Sequence, residues 1–145
     1  MTPTQSHMPE GFVFPIRVYW EDTDAGGIVF YANYLKFFER ARTEWLRALG
    51  IGQQALRDST GGMFVVTDTQ VQYRHPARLD DELLVTAHLQ ELGRASVTIG
   101  QQAGLKGAAS GALNVVCTGQ IRIGWVNAST LRPARIPADI MEALK

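Results

Sequence analysis

Three features of the sequence predict an α+β domain. One strand comes first, a long amphipathic helix follows, and four more strands with short connections occupy most of the remaining chain. Strands joined by such short connections pair antiparallel, because a parallel pair needs a crossover of about a dozen residues or more. We therefore expect an antiparallel sheet packed against one long helix.

The length of 145 residues indicates a single domain. A chain of this size buries roughly 68–70% of its unfolded surface, which is enough for a hydrophobic core. Residues 1–11 contain Pro3, Pro9 and Gly11 and are expected to be a flexible leader. The domain itself is expected to span residues 12–145.

The first strand is predicted over residues 14–20, where aromatic and β-branched residues are frequent. The long helix is predicted over residues 31–49, because apolar side chains recur there every three or four residues. Its apolar face covers roughly half the circumference, so a large element such as a curved sheet is expected to surround it. Arg42 also points into this face; Glu39, one turn away, is its expected partner, and contact with a ligand phosphate is the second interpretation. The apolar members of the face are Tyr34, Leu35, Phe37, Phe38, Ala41, Trp45, Leu46, Ala48 and Leu49.

The remaining elements follow from local patterns. A short helix is predicted over residues 53–58, and a last helix over residues 138–144. Alternating polar and apolar residues predict the four later strands, which cover residues 65–74, 83–90, 94–103 and 113–125. The apolar face of the last strand consists of Leu113, Val115, Cys117, Ile121, Ile123 and Trp125.

Composition and charge exclude several classes of protein. Lysine and arginine number 14, as do aspartate and glutamate, whereas nucleic-acid-binding proteins normally carry a basic excess. The single cysteine, Cys117, excludes an internal disulfide and a cysteine-rich zinc site, and its apolar strand predicts a core role. No apolar stretch approaches the roughly 20 residues of a membrane span, and residues 1–10 lack a signal-peptide pattern. We therefore expect a cytoplasmic protein that binds no nucleic acid and has no integral membrane segment.

The segment Glu21-Asp22-Thr23-Asp24-Ala25-Gly26-Gly27 is the strongest candidate for a functional site. Its three carboxylates repel one another, and its two glycines permit backbone shapes that other residues avoid. The long helix begins just beyond it, so unpaired N–H groups that can hold a developing oxyanion lie nearby. Spacing alone leaves three interpretations open: the carboxylates form and cap a turn, bind a metal such as Mg²⁺, or take part in catalysis.

Sequence signatures of several other enzyme classes are absent. The chain has no G-x-S-x-G, H-E-x-x-H, G-x-x-x-x-G-K-S/T or G-x-G-x-x-G motif. This argues against serine hydrolases, zinc proteases, P-loop NTPases and dinucleotide-binding enzymes. His88 lies on the polar face of its strand and is expected to be solvated, and His75, at a strand end, is expected in a turn.

Residues 19–44, YWEDTDAGGIVFYANYLKFFERARTE, closely resemble the signature of hotdog-fold acyl-CoA thioesterases. The resemblance is to the branch associated with the Tol-Pal system and related to 4-hydroxybenzoyl-CoA thioesterase. It extends through YRHPARLDDEL at residues 73–83 and LRPARIP at residues 131–137, and so covers most of the chain. The fold it implies is an antiparallel β-sheet wrapped around a long central α-helix.

The resemblance also implies roles for individual residues. The second aspartate of the D-x-D pair is catalytic in the family, and that position is Asp24 here. It acts either as a general base on water or as a nucleophile that forms a mixed anhydride. The family's oxyanion donor is a backbone N–H at the start of the central helix, which falls at Tyr31; many members of the branch have histidine there, but a backbone donor survives the change. Asp22 and Gly27 are expected to support the site.

The implied reaction is hydrolysis of acyl-CoA thioesters, or of acyl-carrier-protein thioesters, to a free acid and a thiol, with no cofactor and no metal. Four arginines are candidate ligands of the CoA phosphates on the basis of charge alone: Arg74, Arg78, Arg132 and Arg135. Apolar candidates for the acyl pocket are Phe37, Phe38, Met63 and Phe64.

The resemblance further implies that the active site is completed at a subunit interface, in a homodimer or homotetramer, and it suggests a Tol-Pal context. Two alternatives on the same fold stay open. One is a non-catalytic module that binds acyl-CoA or a protein, because a fold alone does not imply chemistry. The other is a dehydratase, which would need a histidine-based acid/base site.

Overall fold

A computed structural model describes the backbone of residues 5–6 and all atoms of residues 11–106 and 112–145. These described residues form a six-stranded antiparallel sheet with one long helix and two short ones. The strands are β1 (Gln5–Ser6), β2 (Phe12–Arg17), β3 (Gly62–Tyr73), β4 (Glu82–Leu92), β5 (Ser96–Lys106) and β6 (Leu113–Asn127). The helices are α1 (Asn33–Ala48), α2 (Gln53–Thr60) and α3 (Ala138–Leu144), with a short 3₁₀ helix at Trp20–Asp22.

The sheet order is β1-β6-β5-β4-β2, and β3 pairs with β6 beside β1. All of these pairs are antiparallel. The α+β class and the hotdog arrangement predicted from the sequence are confirmed. Both β1 and β3 lie along the same side of β6, since β1 pairs with residues 113–114 and β3 with residues 117–127.

Two element boundaries near the candidate site differ from the prediction. The first strand ends at Arg17 rather than at residue 20, because the chain turns into the 3₁₀ helix, where the Asp22 carboxylate accepts the Tyr19 N–H. The long helix begins at Asn33 rather than at Tyr31, since the two preceding residues form a turn. Each later strand extends two or three residues beyond its predicted range at one end, β5 begins two residues later than predicted, and α3 matches its predicted range.

The core lies between α1 and the inner face of the sheet, where α1 packs on β2, β4 and β5. Phe37, Phe38 and Ala41 are fully buried. The helix approaches β6 closely at Gly119, where an added β carbon would come within 2.8 Å of the Phe38 ring. The flanks of the predicted apolar face are not buried, because no described part of the chain covers them: Leu35 is 43% exposed and Leu49 is 36% exposed.

The predicted ion pair between Arg42 and Glu39 is wrong. Arg42 is buried, and its Nη1 donates to Oε1 of Gln101 on β5 at 3.1 Å. The Gln101 amide also donates to the carbonyl oxygens of Phe38 and Thr86, so one buried side chain joins α1 to two strands. Burial lowers the Arg42 pKa from its usual value, and Glu39 opposes this only by charge at longer range.

Strand β3 lies at an edge of the sheet. Eleven of its twelve residues pair with β6, the exception being Thr67 at a register shift, and no described strand pairs with its other side. Val66 and Tyr73 on this strand are about half exposed. An edge of this length leaves many backbone N–H and C=O groups available to another chain.

Most of the leader predicted over residues 1–11 lies outside the described residues. Within it, the backbone of Gln5–Ser6 pairs with residues 113–114 of β6. In the part of the chain that the structure covers, no helix has the length and apolar character needed to cross a membrane.

Leu131 adopts a left-handed backbone conformation, with φ of 61°, in the turn after β6. Its N–H donates to the Asn127 carbonyl at 2.7 Å, and its side chain is 62% exposed. A leucine in this region carries strain of roughly 1–2 kcal/mol that glycine avoids, in part offset by the greater freedom of unfolded glycine. We expect Leu131→Gly to raise the free energy of unfolding by about 0.5–1 kcal/mol in a denaturant titration. Leu131→Ala, which keeps the β carbon, should give no gain, and destabilisation by the glycine would contradict the strain argument.

Cys117 is fully buried on β6, which confirms its predicted core role. Burial raises the pKa of its thiol to about 12, so almost none of it is thiolate near neutral pH. We expect the native protein to leave a disulfide reagent unreacted and to consume one equivalent only after unfolding in guanidinium. Rapid labelling of the native chain would show that this strand opens.

Candidate active site

The acidic segment folds into a tight loop closed by backbone hydrogen bonds. The Phe30 N–H donates to the Asp22 carbonyl at 2.9 Å, and the Asp24 N–H donates to the Ile28 carbonyl at 2.9 Å. Gly27 lies at the turn with φ of +79°, a conformation that favours glycine. These bonds place Asp24 at the start of the turn that closes the loop, and they bring Phe30, the residue before Tyr31, alongside Asp22.

The carboxylate of Asp22 faces into the protein. Asp22 is 4% exposed, and both of its carboxylate oxygens have donors. Oδ2 accepts the Tyr19 N–H at 2.8 Å, and Oδ1 accepts Nδ2 of Asn33 at 2.7 Å. Asp22 therefore performs the turn-forming role that was one of the three interpretations of this segment, and its carboxylate is already engaged by protein donors.

The carboxylate of Asp24 faces the opposite way, toward solvent. Its Oδ1 accepts the Gly26 N–H at 2.8 Å, which fixes the side chain relative to the loop. No described residue donates to its Oδ2. One oxygen of Asp24 is therefore fixed by the Gly26 N–H, and the other is available to a substrate or a water molecule.

The start of α1 lies at the other end of the loop and has no side-chain cap. Its N-cap residue is Ala32, which has no acceptor, whereas Ser, Thr, Asp or Asn is usual at this position. Among the described residues, the backbone N–H of Tyr31 has no hydrogen-bond acceptor. This helix start therefore offers a donor and the positive end of a helix dipole to an anionic ligand.

Two of the predicted arginines flank the loop. The Val29 N–H donates to the Ala77 carbonyl at 2.8 Å, and Ile28 forms an isolated bridge with Arg78, so the loop is attached to this segment. Arg74 and Arg78 are both exposed. Their side chains add positive charge at the edge of the site.

Comparisons with known proteins identify the family of this chain. The family model described as the thioesterase-like superfamily matches residues 18–144. The chain belongs to the thioesterase-like superfamily.

Individual relatives of this thioesterase-like chain cover almost its whole length. It is 36% identical over 136 residues to the acyl-CoA thioesterase YbgC of Haemophilus influenzae, across 94% of this chain and 96% of that protein. A gentisyl-coenzyme A thioesterase is similar in structure, with a TM-score of 0.80 and 27% identity over 92% of this chain and 99% of that one. A 4-hydroxybenzoyl CoA thioesterase mutant complexed with 4-hydroxybenzoyl CoA has a TM-score of 0.84 at 19% identity, over 92% of this chain and 97% of that one, which shows the shared fold.

An aromatic cleft opens beside the helix start of this thioesterase-like domain. Its volume is about 340 Å³, and its walls are mostly apolar. The ring of Tyr73 at the end of β3 lies 6.1 Å from the ring of Tyr31 and 5.8 Å from that of Tyr34. The cleft is lined by Ile28, Val29, Tyr31, Tyr34, Tyr73, Arg74, His75 and Pro76.

None of the four apolar residues suggested for the acyl pocket lines this cleft. Phe37 and Phe38 have no exposed surface and belong to the core. Phe64 packs against Trp125 with ring centroids 5.0 Å apart, and neither it nor Met63 lines the cleft. Burial raises the pKa of Tyr34 to about 12, so its hydroxyl stays protonated near neutral pH.

The other predicted polar residues are exposed. Arg132 and Arg135 lie on either side of Pro133 and Ala134, and Pro133 forms a bridge with Val126 near the end of β6. His88 is exposed on β4, as expected. His75 is exposed in a bend, as expected, and it also lines the aromatic cleft.

Two features of the site were not predicted from the sequence: the buried contact of Asn33 with Asp22, and the position of Tyr73 in the wall of the cleft. Asn33 occupies the first position of α1 and is 6% exposed. An amide on the buried side of an amphipathic helix needs a partner, and the carboxylate eleven residues earlier was a visible candidate. The position of Tyr73 could not be predicted in this way, because its neighbours Tyr31 and Tyr34 lie about forty residues earlier in the sequence.

Proposed function

We propose that the protein hydrolyses acyl-CoA thioesters at the loop that joins the 3₁₀ helix to α1. The observation that carries the proposal is the difference in environment between two carboxylates. Asp22 is buried and fully engaged, whereas Asp24 is exposed, held by one hydrogen bond and open on its other oxygen. The relative from H. influenzae, similar along nearly the whole chain, is named an acyl-CoA thioesterase.

Two groups supply the proposed chemistry. In one route, Asp24 takes a proton from a water molecule as the oxygen of that water attacks the thioester carbonyl carbon. In the other, the carboxylate attacks that carbon itself, the intermediate expels the thiolate to leave a mixed anhydride, and water then hydrolyses the anhydride. The Tyr31 N–H donates to the oxygen that becomes negative. Collapse of the tetrahedral intermediate breaks the C–S bond and releases the thiolate, giving a free acid and CoA.

No general acid is required for this leaving group. A thiol has a pKa near 8.5, far below that of an alcohol or amine, so the thiolate departs without being protonated first. One carboxylate and one aimed dipole are therefore sufficient in principle for thioester hydrolysis. Arg74 and Arg78 are placed to attract CoA phosphates by charge, and a carrier-protein thioester would present the same reacting bond.

We infer that the working unit is a homodimer or homotetramer. Asp24 and Tyr31 are exposed in the single chain, and the edge of β3 that no described strand pairs with ends at Tyr73 in the aromatic cleft. A second copy would cover these surfaces and exclude water from the reacting bond. Light scattering should give a mass of two or four times 16.0 kDa. A monomer with full activity would contradict this inference.

Thiol release from a panel of thioesters tests the proposed activity. The panel should contain short and long aliphatic acyl-CoAs, aryl-CoAs such as the gentisyl derivative, and an acyl-carrier protein. We expect free thiol and free acid in equal amounts from at least one CoA thioester. Binding of acyl-CoA with no thiol release would favour the non-catalytic module, and loss of water from a hydroxyacyl-CoA with the thioester intact would favour a dehydratase. The Tol-Pal context and the cytoplasmic location stay predictions from the sequence.

A further inference from the structure

The hydrogen bond between Asn33 and Asp22 is one of few contacts between buried polar side chains in the described part of the chain. The Nδ2 of Asn33 is a donor, so this contact does not cap the N–H groups of α1. It reaches back eleven residues, from the first position of the helix to the base of the acidic loop. The contact therefore joins the two parts of the proposed site.

The geometry around Asp22 shows what this contact fixes. The Asp22 carboxylate accepts the Tyr19 N–H, and the Asp22 carbonyl accepts the Phe30 N–H. Asp24 is two residues beyond Asp22, and Tyr31 is one residue beyond Phe30. Holding the Asp22 side chain thus sets the position of the proposed base and of the proposed oxyanion donor together.

We propose that Asn33 is a positioning residue for the thioesterase reaction. It acts through Asp22 to hold the Asp24 carboxylate and the Tyr31 N–H in the correct relative position. The inference rests on the proposed function. A carboxylate buried with only one donor moves toward water, and that movement would carry the loop with it. A displacement of about 1 Å at a reacting group can cost a hundredfold in rate.

The first test is Asn33→Leu, which keeps the size of the side chain and removes the donor. We expect kcat for CoA release to fall roughly 30- to 100-fold with KM within about threefold, because substrate binding uses other surfaces. The matched control is Gln101→Leu, which removes another buried amide that ties α1 to the sheet. It should lower the melting temperature while kcat stays near that of the wild type.

A charge swap separates positioning from simple stabilisation. Asn33→Asp places two carboxylates against each other and should lower kcat at least as much as the leucine variant. In the double variant Asp22→Asn/Asn33→Asp, the amide and the carboxylate exchange places, and the new asparagine can still accept the Tyr19 N–H. We expect kcat of the double variant to be about tenfold or more above kcat of Asn33→Asp. Should Asn33→Leu fail to fold, this pair of variants decides the question.

Three results would overturn the inference. The first is a folded Asn33→Leu protein with a lower melting temperature and unchanged kcat. The second is a loss of kcat in Gln101→Leu as large as that in Asn33→Leu. The third is a charge swap that restores the melting temperature without restoring kcat. An inactive wild-type protein would overturn the proposed function as well, whereas these three results in an active enzyme overturn the inference alone.

Discussion

Asp24→Asn lowers kcat for acyl-CoA hydrolysis by about a hundredfold or more and leaves the fold intact. The amide neither takes a proton from water nor attacks the carbonyl carbon, and a lost general base typically costs 10²- to 10⁴-fold. The fold should survive because Asp24 is exposed and the oxygen of an asparagine can still accept the Gly26 N–H. Steady-state thiol release and the circular dichroism spectrum measure the two effects.

The control for this prediction is Asp58→Asn. Asp58 is an exposed carboxylate on α2 that accepts the Gln54 side-chain amide, and it belongs neither to the acidic loop nor to the edge of β3. This change removes the same charge and should leave kcat within about twofold. Near-wild-type turnover by Asp24→Asn would show that another group activates the nucleophile.

Tyr31→Pro is expected to lower kcat by roughly 100- to 1000-fold, because proline has no N–H to donate to the developing oxyanion. The position should tolerate proline. It precedes the first turn of α1, and its N–H has no described acceptor whose loss would harm the fold. The measurement is kcat together with the melting temperature, so that an effect on folding is visible.

Substitutions that keep the N–H separate the backbone from the side chain. Tyr31→Phe and Tyr31→Ala retain the donor, and kcat should stay within about tenfold of the wild type. Changes in KM between them would report on the exposed ring in the aromatic cleft. A proline variant as active as Tyr31→Phe would exclude this N–H as the oxyanion donor.

Elements with strong periodicity were predictable from the sequence. The apolar residues spaced three and four apart defined α1 to within two residues at each end, and the alternating pattern of the last strand marked its buried face correctly. The acidic loop was also recognisable, because carboxylates and glycines rarely cluster in this way without a special backbone. The roles of Asp22 and Asp24 within it were open from spacing alone, since spacing does not reveal which carboxylate faces inward.

Contacts between distant segments were not predictable in the same way. The partner of Arg42 is Gln101, which lies 59 residues away on a strand, whereas local spacing pointed to Glu39. The exposure of Leu35 and Leu49 depends on which surfaces the sheet of this chain covers, and helical periodicity carries no such information. The aromatic cleft likewise combines a helix start with the end of β3, and its members become neighbours only in the folded chain.

The most direct test of the proposed mechanism is a single-turnover experiment with enzyme in excess over one acyl-CoA that the wild type hydrolyses. This measurement isolates the chemical step from product release. The mechanism predicts rapid release of CoA by the wild type and a step at least about a hundredfold slower in Asp24→Asn, although both proteins bind the substrate. Equal single-turnover rates in the two proteins would contradict the assignment of the reaction to Asp24.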